Sequence, residues 1–131
     1  MPGKSLWGPM PDIDSIRTPH EILAQQGNYL SEMTEGLLNI EIDRLQKSAL
    51  FSYEFSIVVE TFKYRQVILR ITHDIKLFPS ILRDEQSGEE YTAKTQAEFE
   101  DDLGTILSSE TTQTIVKGLM AQARLETAVS H

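Results

Sequence analysis

"LFSYEFSIVVE" (residues 50–60) and "YRQVILRITHD" (residues 64–74) stand three residues apart. In the first, Phe51, Tyr53, Phe55, Ile57 and Val59 alternate with Ser52, Glu54, Ser56 and Glu60. Successive strand side chains point to opposite faces, so a two-residue rhythm describes a half-buried β-strand. In the second run, Val67, Leu69, Ile71 and His73 are expected on one face, with Gln66, Ile68, Arg70 and Thr72 on the other. The short turn near Thr61 to Lys63 favours antiparallel pairing of the two strands.

Upstream, "LLNIEIDRL" (37–45) keeps the same rhythm through Leu38, Ile40 and Ile42, and residues 46–49 read as a loop. Downstream, Pro79 in "IKLFPSIL" (75–82) marks a strand end or a sheet edge. "DEQSGEE" (84–90) reads as a turn, and "EYTAK" (90–94) as one last short strand.

Helices flank this block. In "TPHE" (18–21), Thr18 is the N-cap, Pro19 opens the helix and Glu21 completes a capping box. Ile22, Leu23, Leu30, Met33 and Leu37 follow at roughly helical spacing, and Gly36 is a natural stop. Gly27 weakens the middle of that helix by about 1 kcal/mol relative to alanine, which suggests a close neighbour there. A second capping pattern, Thr95 with Glu98, precedes Phe99, Leu103, Ile106 and Leu107. Ser108 or Ser109 then caps a last helix whose apolar stripe is Ile115, Val116, Leu119, Met120 and Ala123. The predicted fold is α+β: an N-terminal helix, an antiparallel sheet of about four to five strands, and two C-terminal helices packed on one face. Residues 1–17, with Pro2, Pro9 and Pro11, form an extended arm; residues 18–126 form a single domain, and 127–131 a frayed tail. Leu6, Trp7, Ile13 and Ile16 either cover the chain's own core or dock the arm on a second subunit.

The 131-residue length suits one core without staples. There is no cysteine, which excludes disulfides, thiol catalysis and thiolate metal sites. No run has the length of a membrane span or a signal-peptide core, so a cytoplasmic protein with no membrane partner is expected.

Little in the sequence resembles chemistry. His73 beside Asp74 suggests an acid–base pair, but strand neighbours face opposite ways, so Asp74 does not orient the ring. The enzyme reading has His73 as general base, with Tyr64 or Asp74 brought close by a bulge. His20, His73 and His131 are too dispersed for a metal site, and Gln86 and Gly88 interrupt any calcium loop over 84–90. No cofactor-binding pattern occurs. Lys63, Arg65 and Arg70 lie near Phe62 and Tyr64, an arrangement that can hold single-stranded nucleic acid. Three cations are few, and an isoelectric point near 4.8 opposes the reading, so no nucleic-acid partner is expected.

Charge is segregated along the chain. Residues 84–102 hold eight acidic groups against Lys94 alone, almost all of the net −8. Residues 44–83 carry seven basic groups against three acidic ones. Such polarity can be neutralised within one fold or across an interface.

Three stretches, "TPHEILAQQGNYLSEMT" (18–34), "YRQVILRITHDIKLFP" (64–79) and "ILSSETTQTIVKGLMAQA" (106–123), resemble a group of small uncharacterised bacterial proteins. That resemblance implies a bacterial cytosolic setting and a recurring structural unit containing His73 and Pro79; it transfers no catalytic residue. The leading expectation is a non-enzymatic interaction module forming a homodimer, with Trp7, Arg65, Arg70, Glu98, Asp101 and Asp102 as partner-binding residues. The alternative is an acidic inhibitor or immunity-type protein that captures a basic toxin or enzyme through residues 84–102.

Overall fold

The computed structural model describes residues 3–47 and 49–129. A short 3-10 turn at Ile13–Ser15 precedes helix α1 (Pro19–Met33). Five strands follow, β1 (Asn39–Lys47), β2 (Leu50–Val59), β3 (Tyr64–His73), β4 (Ser80–Asp84) and β5 (Glu90–Ala93), and helices α2 (Gln96–Leu107) and α3 (Glu110–Val129) close the chain. The sheet is an antiparallel meander in the order β1-β2-β3-β4-β5. The α+β arrangement expected from the two periodicities is therefore the one observed.

The local signals act where they occur. The Thr18 hydroxyl accepts from the Glu21 N–H at 3.1 Å, and the Glu21 carboxylate accepts from the Thr18 N–H at 3.3 Å. Gly36 ends α1 in a left-handed conformation, with its N–H on the Ser31 carbonyl. Thr95 caps α2 through the Glu98 N–H, and Ser109 caps α3 through the Thr112 N–H. Asp84 accepts from the Gln86 and Ser87 N–H groups and Gly88 takes a positive φ, which closes the 84–90 turn. Strand β1 runs on to Lys47, so residues 46 and 47, expected in a loop over 46–49, belong to the strand. Helix α3 continues to Val129, within the stretch read as a tail; Ser130 and His131 lie outside the described residues.

One expectation about faces is corrected. The register of β2 on β3 shifts between Phe55 and Ser56, where Phe55 pairs with Leu69 but Ser56 pairs with Val67. Ile68 is the extra residue of a β-bulge and is fully buried. Cross-strand partners share a face, so Val67 turns to the outer side with Ser56 while Ile68 joins the core. The core combines Ile57, Ile68, Leu69, Ile71 and Leu82 of the sheet with Ile22, Leu23, Phe99, Leu103 and Ile106 of the helices.

Gly27 of α1 faces β1. A Cβ placed there would lie 2.9 Å from the Ile40 Cβ, an atom fixed by strand backbone. Gly27→Ala is expected to lose about 1–3 kcal/mol through overpacking. Gly118→Ala meets nothing within 4 Å and should gain up to about 1 kcal/mol from helix propensity. Urea unfolding of the two variants checks the opposite signs.

Candidate functional site

Helix α1 lies over β1, while α2 lies over β4 and β5. Between them, above the middle of the sheet, lies a cleft of about 610 Å³. Its floor is Ile40, Phe55, Ile57 and Ile68. One wall is Ile22, Leu30 and Met33 of α1, the other Leu103, Gly104 and Leu107 of α2, and Val116 and Met120 of α3 close one end. Phe55, Ile57 and Ile68 of the floor are almost wholly screened from water, and the solvent-facing apolar area of the cleft lies on Met33 and the partly buried Leu30, Ile40, Leu107, Val116 and Met120. The bulge contributes directly, because it brings Ile68 to the floor.

The buried threonine hydroxyls in the lining are already occupied. The Thr34 hydroxyl donates to the Leu30 carbonyl at 2.9 Å and accepts from the Leu38 N–H at 3.1 Å. The Thr112 hydroxyl donates to the Ile106 carbonyl at 2.9 Å. Gln26, Glu100 and Gln113 add polarity to the lining. The cleft suits an apolar occupant, since few unsatisfied polar groups are left to select a polar one.

The outer face of the sheet is charged and internally matched. Arg65 of β3 pairs with Glu41 of β1 at 2.8 Å, with Glu54 of β2 at 3.3 Å, and with Asp43 of β1. Hydrogen bonds to Asp43 and Glu41 raise the pKa of the Arg65 guanidinium further. Arg70 pairs with Glu54 at 2.8 Å and Glu85 at 3.7 Å, and Arg83 with Glu85 and Glu90. Arg65, Arg70 and Arg83 of the basic stretch are thus paired within one chain, chiefly with Glu41, Asp43 and Glu54, while of the acidic 84–102 segment Glu85 and Glu90 join these pairs. Arg65 and Arg70, expected to face a partner, face their own subunit's carboxylates.

Glu98, Asp101 and Asp102 gather on α2, away from those arginines, with Glu98 and Asp101 exposed. Burial, with added repulsion from Glu98 and Asp101, pushes the Asp102 carboxyl above the usual aspartate range. A raised carboxyl pKa means the folded chain holds a proton at a pH where the unfolded chain has released it. Ionisation therefore opposes folding near neutrality, and the penalty lifts as the pH falls through the folded value. Asp102→Asn should raise the melting temperature at pH 7, with the advantage shrinking towards pH 4. An advantage that grows on acidification contradicts this.

His73 is buried between ring neighbours, with Phe51 at 5.5 Å and Tyr53 at 5.9 Å. Its Nδ1–H donates to the Asp74 carbonyl at 2.6 Å, while Nε2 has no hydrogen-bond partner among the described residues. The Asp74 carboxylate instead accepts from the Lys76 N–H, and the Tyr64 hydroxyl donates to Gln66 at the other end of the strand. Neither reaches the ring as the enzyme reading requires, and His73 does not line the cleft. Among the described residues no three side chains group as metal ligands, and no helix is long and apolar enough to cross a membrane.

The arm lies off the core. Leu6, Trp7, Met10 and Ile13 are 92, 85, 71 and 73% exposed. Of the six residues expected to bind a partner, Trp7 alone is apolar, and Leu6, Met10 and Ile13 of the same arm share that character. No family model matches the chain, and no match is found among curated proteins or solved structures.

Proposed function

We propose that the protein is a non-enzymatic interaction module that self-associates, and that the apolar cleft is the surface through which it does so. The observation that carries this reading is the cleft itself: a groove floored by Phe55, Ile57 and Ile68, with its buried threonines already hydrogen-bonded. The floor itself is almost wholly screened from water, so the apolar area an occupant covers lies on Leu30, Met33, Ile40, Leu107, Val116 and Met120, at about 25 cal/mol per Å² before the costs of association. The matched outer face offers no comparable gain, because exposed ion pairs contribute little.

Gly104 provides the test. It lines the cleft, and a Cβ there meets nothing within 4 Å, so Gly104→Phe adds bulk at the groove wall from an unobstructed position. In sedimentation velocity at micromolar concentration, the full chain should self-associate with little dependence on salt. The Gly104→Phe chain should sediment as a folded monomer. A monomeric parent chain, or unchanged association of the variant, overturns the reading.

A further inference from the structure

We infer that the cleft's occupant is the N-terminal arm of a second copy: two chains exchange arms, each placing Leu6 and Trp7 in the other's groove. This rests on the self-association reading and goes further by naming the segment and the direction of exchange.

Three observations support it. The arm presents four large apolar side chains within eight residues, each more than two-thirds exposed, and contiguous apolar exposure of this kind is the mark of an unmet interface. The arm also begins at the cleft. Arg17 donates to Gln25 and pairs at 3.6 Å with Glu100, and Glu100 lines the groove. A two-fold arrangement with facing cleft mouths therefore roots each arm beside the groove it must enter. With residues 13–15 kept in their 3-10 turn, Trp7 can stand up to about 30 Å from Arg17, at roughly 3.4 Å per extended residue and 2.0 Å per residue of the turn.

Third, the chain leaves its own body along a fixed path. The Asp12 carboxylate accepts from the Asp14 N–H, the Asp12 carbonyl accepts from the Ser15 N–H and hydroxyl, and the Ile13 carbonyl accepts from the Ile16 N–H. This capped turn carries residues 3–11 off the core, where a Cβ at Gly3 or Gly8 would meet nothing within 4 Å. Residues 3–11 are all exposed and none lines the groove beside which the arm begins, so the chain's own arm leaves that groove unfilled. Pro9 and Pro11 limit the conformations lost on docking.

The test pairs two full-length variants. The Leu6→Ser/Trp7→Ser chain keeps an open cleft but lacks the anchors; the Gly104→Phe chain keeps its arm but has a narrowed cleft. Each alone should be monomeric, and their mixture should form a one-to-one complex by sedimentation. Trp7 is the sole tryptophan, so in the mixture its emission reports the Gly104→Phe chain's arm alone and should shift to shorter wavelength. If the parent chain is a monomer, self-association itself fails. If the parent is a dimer and the Leu6→Ser/Trp7→Ser chain remains one, self-association stands and arm exchange is overturned. Blue-shifted Trp7 emission in a monomeric parent also overturns it, by placing the arm in its own cleft. A mixture that stays monomeric, without an emission shift, overturns it as well.

Discussion

Ile68→Ala is expected to destabilise the protein by about 2–5 kcal/mol, whereas Val67→Ala should cost about 1 kcal/mol or less. Simple alternation along β3 gives the reverse order, since it groups Val67 with Leu69 and Ile71. The bulge decides the matter. Phe55 pairs with Leu69 and Ser56 with Val67, which leaves Ile68 unpaired, fully buried and on the floor of the cleft. Removing its side chain deletes core contacts and enlarges an existing groove, so collapse can recover little of the loss. Val67 is half-buried and turned outward with Ser56. Equilibrium urea denaturation of both variants tests the bulge directly; equal costs, or a larger cost at Val67, contradict it.

Phe99→Ala should be similarly damaging, with an expected loss of about 3–5 kcal/mol. Phe99 is fully buried on the face of α2 that meets β4 and β5, with its ring edge-on to Phe78 at 6.1 Å. No other described side chain of α2 combines that size with complete burial; Leu103 and Ile106 sit further along the same stripe. Small domains have total stabilities of only about 5–15 kcal/mol, so this single truncation removes a large share. Because α2 also forms one wall of the cleft, its loosening should abolish self-association before global unfolding is complete. Loss of stability below about 1 kcal/mol would mean that α2 is not held as described.

The signals legible in the sequence were the ones that act over a few residues. The Thr18–Glu21 box, the Thr95 cap and the Gly36 stop each satisfy backbone groups within one turn. The two-residue rhythm of β1 and β2 and the restriction at Pro79 are equally local, and β4 begins directly after that proline. Gly27 was readable as a close approach, although its neighbour Ile40 was not, because that contact joins two elements.

What the sequence concealed depends on pairing between distant segments. The bulge is a property of β2 and β3 together, and nothing within "YRQVILRITHD" announces it. Charge segregation was visible, but its resolution was not: Arg65 reaches Glu41 and Asp43 across the strand between them, a neighbourhood set by the sheet register. The cleft is further removed still, being space left by the spread of α1 and α2 rather than a run of residues. One hint existed in Gly104, a helix-weakening residue beside the Phe99–Leu103–Ile106 stripe, where a side chain would have narrowed the groove. Trp7 was recognisable as the large apolar side chain of an arm rich in proline, although its exposure was not.

The most direct measurement is an isotope-filtered NOE experiment on the full chain, mixing labelled and unlabelled copies at dimer-forming concentration. Cross-peaks should connect the Trp7 indole of one copy to methyl groups of Ile22, Leu103 and Met120 of the other. Intermolecular cross-peaks confined to the outer face, at Val58, Val67 or Ile81, would contradict the account, as would a dimer in which the Trp7 indole has none.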